Sequence, residues 1–423
     1  MMVVTANCLD THLARPSLVR GRYPISGTGL LGARVSRPAN ASSSRARRLH
    51  CSAAGEPGDS KVQGGFRLLE WTGKLVPQSA IVKGAKFTWK TTWEAFMKEL
   101  APQDAKGGYS RPKYTFDDAI SAAPSTKYPV ESGRYHLYTG NACPWCHRCL
   151  LVLAVRGLSP HISVTPMKDD AEKATRGGWI IPGRDPVTDA ADLYAVYEKA
   201  QPGYIGRCTA PVLFDKKTMK IVTNESSEIV RMLNEIDFDP KVPAVDLYPT
   251  GLREDIDRMN KFVYNRISNG TYKSGFATTQ KAYDDAQMDL YMGLDELEDI
   301  LSSKRFLMGD RFTEADLCLF PTVMRFDSSY AVLFKCSRKR IADYPNLSKW
   351  MRDVLQLPCP PGGLKVADTF DMDDARRSYF EQLFPLNPGG IVPSGPTEAD
   401  LRLDRPPGRG SQLPEDVFFY KPQ

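Results

Sequence analysis

The chain has 423 residues, 42% hydrophobic and 25% charged, with a formal net charge of +6, an ordinary globular balance. Collagen, a fully disordered chain and a helical membrane protein are excluded; the longest aliphatic run, Leu150 to Val155, is far short of the roughly 18 apolar residues of a spanning helix. At about 100–200 residues per domain, two or three units are expected.

Residues 1–55 hold eight arginines, no lysine and one acid, Asp10. They carry +7 and leave −1 for the remainder, so the basic balance says nothing about nucleic acid. With Ser42, Ser43 and Ser44 and no apolar core, the segment reads as an organellar transit peptide, disordered over 1–54. Cleavage is expected near His50 to Ala54, in a run closer to plastid than to mitochondrial sites. A plastid stroma destination is therefore expected ahead of a mitochondrial one.

Residues 55–130 form an N-terminal extension. Trp71, Trp89, Trp93 and Phe96 suggest that it packs, and Phe87 to Leu100 predicts a helix ended by Ala101-Pro102. From Gly133 the pattern changes. Tyr135 to Tyr138 predicts a strand, Gly140-Asn141 a turn, and His147 to Arg156 a helix stopped by Gly157. His161 to Val164 predicts a second strand, which completes a βαβ unit. A long Gly-rich insert covers 168–206. Ala210 to Asp215 and Lys220 to Val222 predict a hairpin, and Asn224-Glu225-Ser226-Ser227 opens a helix to about Leu233. The order β-α-β then β-β-α is a thioredoxin arrangement.

From about Leu252 to Leu357 the pattern is helical. Ala286, Leu290, Leu294, Leu297 and Leu301 share one helix face. Thr313-Glu314-Ala315-Asp316 is a capping signature. Lys335 to Arg340 lacks interleaved aromatics and reads as a solvated basic face. Residues 386–423 read as an extended tail rich in Pro and Gly.

The chemistry concentrates at Cys143-Pro144-Trp145-Cys146. Cys143 follows a strand and opens a helix, where unpaired N–H groups and the dipole favour a thiolate. Pro144 suits the first helical turn, whose N–H needs no partner. Arg148, a turn further on, adds positive charge. Cys146 lies within disulfide reach. Purely structural thiols are one rival reading. Cys143-x-x-Cys146-His147 also fits c-type haem attachment, which needs an oxidising compartment and a second axial ligand. Zinc needs about four ligands, and no second Cys/His pair is present. Cys208, Cys318, Cys336 and Cys359 are scattered and read as small buried hydrophobes.

Residues 131–390 resemble the glutathionyl-hydroquinone reductases, the Xi class of glutathione transferases and relatives of the Omega class. Gly133 to Tyr138 with Ala142-Cys143-Pro144-Trp145 is similar to their first strand and active site. Thr209 to Asp215 and Ile221 to Ile229 are similar to their cis-proline strand and glutathione segment. Asn269 to Gln280, Arg325-Phe326-Asp327 with Tyr330, Arg340 to Leu347 and Leu386 to Ile391 match further motifs. The resemblance implies an α/β thioredoxin-like N-terminal domain (131–240) and an all-α glutathione transferase C-terminal domain (241–385), followed by the tail (386–423).

It also implies roles. Cys143 would be the nucleophile that takes glutathione from a glutathionyl-hydroquinone as a mixed disulfide. Glutathione would be the co-substrate, with no metal and no nucleic acid. Trp179, Arg207, Ala210, Pro211, Glu225 and Ser226 would bind glutathione. Pro211 would be cis, presenting the Ala210 backbone to the glutathione cysteine. Tyr272 and Tyr379 would face the aromatic or quinone substrate. A homodimer is compatible with the family. Two departures stand out: the family usually has Ala in place of Cys146, and histidines near Tyr379 where this chain has Arg377-Ser378. Cys146 is thereby a candidate resolving thiol, and a glutaredoxin-like thioltransferase or dehydroascorbate reductase is the enzymatic alternative. A non-catalytic glutathione or quinone carrier is the other.

Overall fold

The computed structural model describes residues 76–109, 116–239, 244–361, 363–409 and 413–422. The expected transit segment and Trp71 lie outside them. Residues 88–423 make one compact unit; residues 76–87 belong to a second. A helix, α1 (Gln78–Leu100), starts earlier than its aromatic cluster implies. Within the larger unit, Trp93 donates its indole N–H to the Pro385 carbonyl at 3.0 Å, and Phe96 meets Phe384 edge-on at 5.0 Å. Trp89 is exposed rather than packed.

Two short strands, β1 (Ile120–Ser121) and β2 (Tyr128–Pro129), pair in parallel. The main sheet follows: β3 (Tyr135–Gly140), β4 (Ser163–Asp169), β5 (Trp179–Ile180), β6 (Val212–Asp215) and β7 (Lys220–Thr223). Its order is β5-β4-β3-β6-β7. β3 pairs β4 in parallel, as a βαβ crossover requires, and β6 in antiparallel. Every residue of β3 is buried, the signature of a central strand covered on both faces. The crossover helix is α2 (Pro144–Val155), ended at Gly157, whose φ of +64° suits a residue without a Cβ.

The insert between β5 and β6 contains a helix that the sequence reading missed, α3 (Leu193–Ala200), capped by the Asp192 carboxylate on the Ala195 N–H. Next come α4 (Ser226–Glu235) and a two-residue strand, β8 (Val245–Asp246).

The second domain is helical: α5 (Arg253–Phe262), α6 (Asn269–Phe276), α7 (Gln280–Ser303), α8 (Glu314–Arg325), α9 (Pro345–Leu355) and α10 (Met372–Gln382). The predicted stripe on α7 is its buried face, including Leu290, Leu294, Leu297 and Leu301. Each such leucine contributes roughly 1.5–3 kcal/mol. Thr313 and Asp316 form the expected reciprocal cap on α8. Two π-helical turns interrupt the domain, Val263–Ser268 before α6 and Phe326–Tyr330 after α8. The tail is irregular until β9 (Phe419–Tyr420), which pairs antiparallel with β8. It buries Val417 and Phe418 just before that strand. Among the described residues, no helix is long and apolar enough to cross a membrane.

Candidate active site

Cys143 is the N-cap of α2, with extended backbone and a sulfur that accepts the Cys146 N–H at 3.4 Å. It is 1% exposed. Burial opposes a charge there. The Cys146 thiol, the N–H groups of Cys146 and Trp145, and the Arg325 guanidinium outweigh it, so the Cys143 thiol is held below its ordinary range. Its neighbours behave oppositely. Burial, and then the Cys143 charge, push the Cys146 thiol well up; burial does the same to Cys149. One sulfur of the cluster is thus shifted toward the thiolate, and the other two are shifted toward the thiol.

The cation beside Cys143 is Arg325, not Arg148 as the spacing suggested. Arg148 turns away, donating to the Ser268 hydroxyl at 3.2 Å and the Cys318 carbonyl at 2.8 Å, with its plane over Trp145.

Opposite the helix mouth, the Ala210-Pro211 peptide is cis, as expected, and the Ala210 carbonyl is 3.7 Å from the Cys143 sulfur. Two loops are cross-linked here. Asn224 donates to the Tyr197 hydroxyl at 3.0 Å and to the Thr209 hydroxyl at 3.1 Å, while Tyr197 donates to the Thr209 carbonyl. The cis-proline turn and the head of α4 are therefore joined through Tyr197, Thr209 and Asn224. At that head, buried Glu225 accepts the Ser227 N–H at 3.1 Å and the Ser227 hydroxyl at 3.0 Å; the Ser226 hydroxyl points to the same oxygen at 3.4 Å. Both residues serve the cap of α4, and Ser226 is also fully buried.

Trp179 is buried on β5 against Gly140, the last residue of β3. A Cβ on Gly140 would lie 1.9 Å from the indole, so only glycine fits. The Gly140 carbonyl accepts the Cys143 N–H, which ties Trp179 to the cysteine turn through one residue. The Trp179 N–H has no hydrogen-bond partner among the described residues. Arg207 is not drawn into this constellation; it reaches the Glu99 carbonyl at 3.4 Å.

Tyr272 on α6 and Tyr379 on α10 meet through their hydroxyls at 2.7 Å. Tyr330, which the sequence reading quoted only within a motif, bonds Tyr379 at 2.9 Å and completes a buried triad. Burial raises all three phenols, Tyr330 to about 12, so they are neutral at physiological pH. The Cys143 charge adds a smaller contribution to the rise at Tyr272 and Tyr330. Tyr330 sits on one π turn and Tyr272 follows the other, and such turns re-aim side chains at functional sites.

The turn before Cys143 is also fastened to α10. Asn141 donates to the Asp371 carbonyl at 2.7 Å and the Asp374 carboxylate at 2.9 Å, and it accepts the Asp371 N–H at 3.0 Å. Ser378 donates to Asp169, and the Ala171 N–H reaches Gln382 at 2.7 Å. No cluster of His, Cys, Asp and Glu suited to a metal is found among the described residues.

A thioredoxin-like domain with a cysteine at a helix mouth and a cis-proline beside it, followed by a helical domain, defines a glutathione transferase. The family descriptions agree: the glutathione S-transferase N-terminal domain matches residues 142–236 and its C-terminal domain residues 280–353. Glutathionyl-hydroquinone reductase PcpF of Sphingobium chlorophenolicum is 45% identical over 272 residues, 63% of this chain and 84% of its own. Glutathionyl-hydroquinone reductase YqjG of Escherichia coli is 38% identical over 327 residues, 76% and 96%. The glutathione-bound structure of YqjG superposes with a TM-score of 0.63 over 70% of this chain and 96% of that one, at 41% identity. The glutathione transferase Xi of Phanerochaete chrysosporium gives 0.63 over 70% and 94%, at 40% identity. The chain belongs to the glutathionyl-hydroquinone reductases, the Xi class of glutathione transferases, and is an oxidoreductase of that family.

Proposed function

We propose that this chain binds glutathione and removes it from glutathionyl-hydroquinones through Cys143. The Cys143 thiolate attacks the sulfur of the aryl thioether. The carbon–sulfur bond breaks, its electron pair stays on the aromatic carbon, and that carbon takes up a proton. The enzyme then holds a mixed disulfide with glutathione. A second glutathione thiolate attacks the glutathione sulfur of that disulfide, Cys143 leaves as thiolate, and oxidised glutathione departs. Two thiols are oxidised for each aromatic carbon reduced. Ala210 would pair its backbone with the glutathione cysteine, and Glu225 and Ser226 would receive the γ-glutamyl end. Trp179 would lie along the tripeptide, and Tyr272 and Tyr379 would bond the phenolic oxygens.

The observation that carries this reading is the single lowered thiol among three buried cysteines, at a helix mouth and facing the Ala210 carbonyl before the cis-proline. Cys143→Ser should abolish release of hydroquinone while leaving the fold intact. Mass spectrometry of the wild-type protein after glutathionyl-hydroquinone exposure should find one glutathione on Cys143. Turnover that survives the substitution would remove Cys143 as the nucleophile.

The destination we propose is the plastid stroma, supported by the arginine bias and single acid of residues 1–55. N-terminal sequencing of protein from the native organelle should begin near residue 54. A sequence beginning at Met1 or Met2 would refute it.

A further inference from the structure

Arg325 is fully buried at the C-terminal end of α8. Its Nε donates to the Ala142 carbonyl at 3.0 Å, and one terminal nitrogen to the Asn141 carbonyl at 2.6 Å. The other terminal nitrogen donates to the Pro321 carbonyl and to His147 Nδ1, both at 2.9 Å. Phe370 covers its face at 4.2 Å. None of these bonds goes to a carboxylate. A buried cation is costly unless something of opposite charge balances it. Carbonyl dipoles and an imidazole supply lone pairs but no full negative charge.

The imidazole is fixed as neutral. A guanidinium can only donate, so His147 Nδ1 accepts and Nε2 carries the proton. That proton goes to the Thr369 hydroxyl at 2.8 Å, which in turn donates to the Val366 carbonyl at 2.6 Å. Burial, and then the Arg325 charge, push His147 well below its ordinary range.

We propose that Arg325 is a positioning residue for this reaction: it is the counter-charge of the Cys143 thiolate and the clamp on the Asn141–Ala142 turn that presents the sulfur. The proposal rests on the reading of Cys143 as nucleophile. Other groups around the sulfur do not supply the charge. Cys146 and Cys149 stay protonated, His147 is neutral, and Tyr272 and Tyr330 ionise only in strong alkali. Of the remaining charges, Glu225 has the wrong sign, and Arg148 points to Ser268 and Cys318, whereas Arg325 bonds the two carbonyls directly before Cys143 and its charge lowers that thiol.

The test is a pH titration of thiolate ultraviolet absorbance on the full chain, taken as the difference from Cys143→Ser. It needs no reagent to enter the site. The wild-type midpoint is expected below the ordinary thiol value of about 8.5. In Arg325→Gln it should rise by about one pH unit or more, a tenfold loss of thiolate at fixed lower pH. Arg325→Lys should keep the midpoint within about half a unit yet lower kcat, because one ammonium cannot span both carbonyls as the planar fork does. A wild-type midpoint at the ordinary value, or an unmoved midpoint in Arg325→Gln, overturns the proposal. If the glutamine variant does not fold, Arg325→Met is titrated in its place, with a raised midpoint supporting the proposal and an unmoved one overturning it. Turnover retained by Cys143→Ser would instead remove the underlying reading.

Discussion

Cys146 and Cys143 are chemically identical side chains three residues apart, and their surroundings divide the work between them. Cys146 is fully buried, keeps its proton and lends that proton to its neighbour as a hydrogen bond. Cys146→Ala should therefore leave hydroquinone release in place, because glutathione resolves the mixed disulfide. It should also shift the acid limb of the kcat/KM profile to higher pH. The sign follows from the donor: a hydrogen bond to the thiolate lowers the Cys143 value, so removing it raises that value, and activity falls at low pH while the alkaline plateau stays. A pH–rate profile checks this, and an unmoved limb would leave Cys146 as packing alone. The two-thiol motif was legible in the sequence because its members are local. Arg325 was not, since it reaches Ala142 across 183 residues. Arg148 was the wrong cation for the same reason: spacing along a helix places a charge nearby without saying which way a flexible side chain turns.

At the scale of elements, the site depends on how ends meet. The head of α4 is the example: Glu225 caps the helix, and the proposed function gives it the peptide amine as well. Glu225→Ala should cost about 1 kcal/mol of stability for the lost cap. Under the proposed function it should also weaken glutathione binding by about 1–3 kcal/mol. Chemical denaturation and calorimetry read the two separately, and unchanged binding would leave capping as its whole role. The β-α-β and β-β-α order was legible because hydrophobic runs, turn residues and caps agree there. Helix α3 was not. Its buried Leu193, Val196, Tyr197 and Ala200 do follow helical spacing behind an Asp cap, but eight residues are a weak signal inside a Gly-rich insert. The tyrosine triad was read only as two separate phenols, because α6, α10 and the intervening π turn converge only in three dimensions.

Across the whole larger unit, the tail is more than a trailing end. β9 pairs with β8, which lies between the α/β and helical domains, and Phe418 packs edge-on to Phe312. The Phe312 N–H donates to the Val417 carbonyl at 2.9 Å. Pro and Gly content marked the tail as irregular, and two residues of strand left no periodicity to read. Phe418→Ala should lower stability by about 3–5 kcal/mol, the usual range for emptying a buried phenylalanine site. Equilibrium unfolding in denaturant tests this, and a loss under about 1 kcal/mol would show that the tail does not hold the joint.

The enclosure of Cys143 has a consequence for its survival. A sulfur that is 1% exposed can be reached only when a neighbour gives way. The seam along α10, from Asn141 through Asp169 to Ala171, is made of single hydrogen bonds worth about 0.5–1.5 kcal/mol each. Parting them together costs a few kcal/mol and leaves the open form a small minority. Under the proposed function, a nucleophile so enclosed would be shielded from peroxide between turnovers, and the aromatic substrate would wait on the same opening.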